Sequence, residues 1–116
     1  MRTIIAGSRS IDDYQAVCTA VQESGFEISQ VLSGAATGVD ALGERYAREH
    51  NLPVLRFPAD WKRYGRAAGP IRNRLMAQQA EALIVVMLPN SPGSNNMIRT
   101  AHQAGLKVHV KVITLS

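Results

Sequence analysis

Five short apolar runs alternate with four amphipathic stretches, and that alternation predicts an α/β fold. The loops narrow it further. Helix-to-strand returns are short (Gly25-Phe26, Asn51-Leu52, Glu81, Gly105-Leu106), while strand-to-helix loops hold nearly all the glycine, proline and serine. Right-handed crossovers then leave a single-domain, Rossmann-like, doubly wound parallel five-stranded sheet with helices on both faces. The expected strand order is 3-2-1-4-5, with the first strand central. The 116 residues fit one domain, 1–116, without linker, repeat or low-complexity segment.

Residues 3–6 make a short apolar strand. Asp12 or Asp13 caps a helix through Ser24, with Val17, Ala20 and Val21 facing inward, and Gly25 ends it. Residues 28–32 form the second strand and 39–50 the second helix, with Leu42, Tyr46 and Ala47 as its core face. Residues 53–57 read as the third strand. A longer polar loop, 58–69, leads to a helix with Pro70 in its first turn, where a missing N–H does no harm. Ile71, Leu75 and Met76 are expected to face the core. Residues 82–88 are nearly continuous in apolar side chains, as a central parallel strand covered on both faces requires. Ser94 is expected to cap a last helix that runs to Ala104 and stops at Gly105, and residues 108–113 close the sheet.

Composition sets the class. An apolar fraction of 46% and a charged fraction of 19% are those of a globular protein. No apolar run is long enough to cross a bilayer, and Met1-Arg2-Thr3-Ile4-Ile5 enters a strand directly, without a signal-peptide layout. The single cysteine, Cys18, excludes an internal disulfide and packs as a small hydrophobe on its helix. A cytoplasmic setting is therefore expected. His50, His102 and His109 lack metal-ligand spacing, so neither a metal nor a cofactor is expected. A net charge of +4 suits contact with anions but is too small to indicate a nucleic-acid binder.

In a sheet of this kind the strand-to-helix loops share the carboxyl edge, where ligands bind. Four loops should meet there: Gly7-Ser8-Arg9-Ser10, and residues 33–40, 58–73 and 89–96. In the second, Ser33, Gly34 and Gly38 stand between a strand and a helix N-terminus. Free N–H groups and the helix dipole there suit a phosphate or carboxylate, although the same turn also reads as a loop that binds nothing. Asp40 follows in the first helical turn, where an acid is stabilising, and is a candidate for ribose hydroxyls. Ser8 and Arg9 end the first strand as candidate phosphate contacts. Arg72 near a helix N-terminus opposes the dipole, which favours a bound anion, and Asn73 beside it both donates and accepts. Gly93 and Ser94 offer backbone amides as a further anion site. Trp61 and Tyr64 read as a lid or subunit contact ahead of a stacking surface; Lys62 and Arg66 read as solvated or steering charges.

Gly7-Ser8-Arg9, Ser33-Gly34-x-x-x-Gly38-x-Asp40, Phe57-Pro58-Ala59-Asp60-Trp61, Ala68-Gly69-Pro70-x-Arg72-Asn73 and Ser91-Pro92-Gly93-Ser94-x-x-Met97-Ile98 run through the chain in order. Together they resemble the SLOG superfamily, and within it the small stand-alone proteins related to YspA and YpsA found in bacteria and phages. The resemblance implies a Rossmann-like fold that binds a nucleotide or nucleotide-derived small molecule, ADP-ribose-like or a nucleoside phosphate, at the carboxyl edge. The ligand contacts expected within these motifs are Gly7, Ser8, Arg9, Ser33, Gly34, Gly38, Asp40, Asp60, Trp61, Arg72, Asn73, Gly93 and Ser94. The superfamily contains phosphoribohydrolases whose proline-glycine-glycine-x-glycine-threonine turn is followed by a glutamate on the next helix. Here Pro92-Gly93-Ser94-Asn95-Asn96-Met97 carries no carboxylate. That departure weighs against the hydrolase chemistry, since an oxocarbenium-like step wants a nearby carboxylate. Asp40 and Asp60 are the candidate replacements.

Three function classes follow. The first is a binding module, a sensor or sequestering protein for a nucleotide-derived small molecule. The second is an enzyme that cleaves an N-glycosidic or phosphoribosyl bond. The third, a single-stranded nucleic-acid-associated protein, calls for more basic surface than this chain has. A homodimer or homotetramer is expected through Trp61, Tyr64 and Met76.

Overall fold

A computed structural model describes residues 1–114. Among them, β1 (Arg2–Gly7), β2 (Gln30–Ser33), β3 (Val54–Arg56), β4 (Ala82–Met87) and β5 (Lys107–Val112) form one sheet in the order β3-β2-β1-β4-β5. Every pairing is parallel: Ile4 lies between Leu32 of β2 and Leu83 of β4. The helices are α1 (Tyr14–Ser24), α2 (Val39–Glu49), α3 (Trp61–Tyr64), α4 (Ala68–Gln79) and α5 (Pro92–Gln103), with a 3₁₀ turn at Gly65–Ala67 between α3 and α4. None is long and apolar enough to cross a membrane.

Alternation along the strands divides the core in two. Ile5, Val31 and Ile84 point to the face covered by α1 and α2, where Val17, Ala20, Val39 and Ala47 meet them. Ile4, Leu32, Leu83 and Val85 point to the face covered by α4 and α5, against Met76, Ala77, Met97 and Ala101. All six residues of β4 are buried, as expected of a strand covered on both sides. Asp13 caps α1, its side chain accepting from the Ala16 N–H at 3.3 Å, and Gly25 closes the helix with φ of 69°.

Several boundaries differ from expectation. β2 begins at Gln30, not Ile28, because Ser29 donates its N–H to the Met1 carbonyl and Ile28 packs on the core from outside the ladder. The 58–69 stretch is not one open loop. Asp60 accepts from the Arg63 N–H and starts α3. Pro70 is the third residue of α4, whose inward face is Gly69, Asn73, Met76 and Ala77; Leu75 points outward and is 47% exposed. On α2 the fully buried line is Val39, Gly43 and Ala47, with Leu42 and Tyr46 half-buried at its margins. Ser91, not Ser94, precedes α5; Pro92 opens that helix and Ser94 is buried inside its first turn.

Candidate functional site

The loop leaving β1 turns toward α1 on one face, while the loop leaving adjacent β4 turns toward α5 on the other. The two part above the carboxyl ends of the strands and leave a crevice. It is a cleft of about 620 Å³, within the range of small-molecule sites.

On its floor three hydroxyls form a row. Ser8 Oγ accepts from the Leu88 N–H at 3.0 Å and bonds Ser91 Oγ at 3.2 Å, and Ser91 Oγ bonds Ser94 Oγ at 2.9 Å. Three hydroxyls bring three hydrogens, and the two links use two. Whichever way the row is polarised, one hydroxyl hydrogen is left over at an end. Beside it stands the first turn of α5. Asn95 N–H donates to the Ser91 carbonyl, whereas the Gly93 and Ser94 N–H groups have no partner among the described residues. A side chain placed at Gly93 meets nothing within 4 Å, so this end of the helix is open.

α4 supplies the opposite wall. Arg72 donates from Nη1 to the Gly34 carbonyl and from Nε to Asn73 Oδ1 at 2.9 Å. Asn73 Nδ2 donates to Asn96 Oδ1 at 2.9 Å, which ties α4 to α5. Burial lowers the Arg72 pKa from its ordinary value, with the nearby Asp40 opposing that shift. At the mouth the Arg9 guanidinium sits 5.3 Å from the centroid of the Trp61 ring, and Arg66 joins it in the lining.

The glycine turn before α2 is placed differently from the expectation of an open anion loop. The Val39 N–H at the head of the helix donates to the Ser8 carbonyl at 3.2 Å. Gly38 has φ of 73°, and a Cβ there would lie 2.4 Å from the same carbonyl oxygen. Its missing side chain thus admits the β1 loop. Ser33 is fully buried, donating to Glu44 Oε2 at 2.6 Å and accepting from the Ala35 N–H. Gly34 leaves room for Arg72 and Asp40, whose Nη1 and Oδ2 would stand 2.5 and 2.7 Å from a Cβ. Of this stretch only Ala36 and Asp40 line the cleft. Asp40 is 5% exposed; its Oδ2 accepts from the Ala36 N–H at 3.2 Å. Burial raises its pKa, against the Ala36 hydrogen bond and the charges of Arg72 and Arg9.

The cleft therefore brings together Gly7, Ser8, Arg9, Asp40, Trp61, Arg72, Asn73, Gly93 and Ser94, and leaves Ser33, Gly34, Gly38 and Asp60 outside its lining. Ser91 and Asn96 lie in the expected motif and loop but carried no expected ligand role, and Arg66 read as a solvated or steering charge; all three line it. A serine directly before Pro92 is a helix-start signal and pointed to Ser91. Among the described residues, no His, Cys, Asp and Glu group is arranged to hold a metal.

The all-parallel order with its crevice between β1 and β4 defines a Rossmann-like α/β protein. The model of the YspA, cpYpsA-related SLOG family (YAcAr) matches residues 1–64, and the chain belongs to that family. Among curated proteins none matches. The matched segment reaches from β1 through α3, so the α4 and α5 walls stand on their geometry alone.

Proposed function

We propose that the cleft binds a nucleotide or nucleotide-derived small molecule, ADP-ribose-like or a nucleoside phosphate, and that the protein works in the cytoplasm as a sensor or sequestering protein. Membership of a SLOG family supports a nucleotide-related role. The observation that carries the reading is the set of unused donors at the first turn of α5: two N–H groups and the leftover hydrogen of the Ser8-Ser91-Ser94 row. Such donors suit an acceptor-only group such as a phosphate, which the helix dipole also favours. Arg9, Arg66 and Arg72 add positive charge around the same space. The volume exceeds what an inorganic ion needs and leaves room for a sugar and a base.

A second reading, cleavage of an N-glycosidic or phosphoribosyl bond, is favoured by one feature: a carboxylate, Asp40, lines the cleft with its pKa raised by burial. The first turn of α5 carries no acid, and Asp60 is engaged in starting α3.

Native mass spectrometry of freshly purified protein should show a co-purified mass in the nucleotide range. Titration with nucleoside mono- and diphosphates should then give binding that Gly93→Asp weakens by at least about tenfold, because the new carboxylate occupies the anion's place. Undiminished binding in that variant places the phosphate elsewhere. Free base released from nucleoside monophosphates by the wild type, and lost in Asp40→Asn, replaces the binding reading with the enzyme.

A further inference from the structure

We propose that Asp40 makes the cleft select ribonucleotides, by accepting the vicinal hydroxyls of the ribose while the phosphate lies at the first turn of α5. This rests on the reading that the cleft binds a nucleotide. Asp40 is a buried carboxylate that forms no ion pair among the described residues. Its natural partner, Arg72, stands close enough that both groups crowd the missing side chain of Gly34. Yet Arg72 directs its hydrogen bonds to the Gly34 carbonyl and to Asn73. Asp40 Oδ2 is taken by the Ala36 N–H, and Oδ1 accepts from no described residue. Oδ1 keeps access to the cleft, and a ligand that displaces water from it has to donate to it in turn.

The other charged groups of the lining are guanidinium donors, and the first turn of α5 adds free amides and a hydroxyl hydrogen. A ligand that satisfies both ends needs an anionic group for the donors and hydroxyl donors for the lone acceptor. A ribosyl phosphate has both. An inorganic phosphate or pyrophosphate lacks a vicinal diol and brings its own negative charge against the carboxylate. The two lone pairs of Oδ1 match the two O–H groups of a vicinal diol, and a 2′-deoxy sugar leaves one unmatched. The desolvation that raises the Asp40 pKa is consistent with a carboxyl held for a ligand rather than for a cation of the fold.

Isothermal titration of the wild type and of Asp40→Asn with each ribonucleoside 5′-diphosphate and its 2′-deoxy counterpart tests the assignment. The wild type should bind at least one ribonucleotide about tenfold or more tighter than its deoxy form. Asp40→Asn should narrow that gap to within about threefold, because the ribonucleotide loses more than its deoxy form. Equal binding of ribo and deoxy forms by the wild type overturns the assignment and leaves nucleotide binding intact. Equal weakening of both forms in Asp40→Asn also overturns it, since that is what a purely structural residue produces. No binding of any diphosphate overturns the parent reading and this one together. The wild-type comparison decides even if the variant fails to fold.

Discussion

Gly93 is the residue at which function and stability should separate most clearly. It sits in the first turn of α5, and a side chain there meets open space. An aspartate improves helix propensity over glycine and places negative charge at the positive end of the dipole. Gly93→Asp should therefore gain about 0.5–1 kcal/mol of stability while it weakens phosphate binding. Denaturant midpoints read the first and titration the second. Asp40 should show the same trade, with its ionised carboxylate costing stability in the wild type. Its folded pKa lies above the ordinary 3.8, so the fold holds the proton more tightly than the unfolded chain does. Above the folded pKa the ionised carboxyl destabilises the fold, and the penalty disappears as pH falls through the folded pKa toward the unfolded one. Asp40→Asn should melt higher than wild type at neutral pH, with the gap closing near and below about pH 4. A gap that widens in acid contradicts the burial argument. Gly38 is a poor probe of ligand contact, since its positive φ and the Ser8 carbonyl against it mean that substitution strains the backbone first.

At the scale of elements, α2 and α4 both reach the cleft and differ in what their packing tolerates. α2 lies so close to β1 that a Cβ at Gly43 would be 2.8 Å from Ile5 Cβ. In an exposed helix Gly→Ala gains about 1 kcal/mol. At Gly43 the contact is with a branched carbon fixed to a central strand, and overpacking of that kind costs about 1–3 kcal/mol. Gly43→Ala should therefore lower the denaturant midpoint. In α4, two neighbours meet opposite fates. Met76 is 1% exposed in the core against Leu83, and Met76→Ala should cost about 2–5 kcal/mol. Leu75 faces outward, and Leu75→Ala should stay within about 0.5 kcal/mol in the monomer. Equal losses from both would contradict the observed rotation of the helix.

For the whole molecule, the expected assembly is a homodimer or a tetramer of two dimers. Met76 is buried and cannot contribute to it, whereas Trp61, Tyr64 and Leu75 are all exposed apolar side chains on α3 and α4. Sedimentation at micromolar concentration should show a mass above 12.6 kDa, and Leu75→Lys should lower it. A monomer across that range would rule out the assembly and leave the cleft untouched.

The class and strand order of this fold were readable from the chain because both follow from local patterning. Apolar runs, caps such as Asp13 and Gly25, and short helix-to-strand returns each involve residues near one another, and right-handed crossovers do the rest. Where expectation and structure part, neighbours distant in sequence decide. The rotation of α4 turned Asn73 inward and Leu75 outward, because the helix packs beside α5 while presenting Asn73 to the cleft. The Gly34-Gly38 turn has the composition of an anion loop, yet its helix N–H is taken by the Ser8 carbonyl, a residue some thirty positions earlier. The α5 turn keeps its donors because Ser91 bonds to Ser8 and Ser94 rather than capping the helix. Which polar groups are present is a property of the sequence. Which remain unsatisfied depends on hydrogen bonds between loops brought together only by the sheet, and that remainder gives the cleft its chemistry.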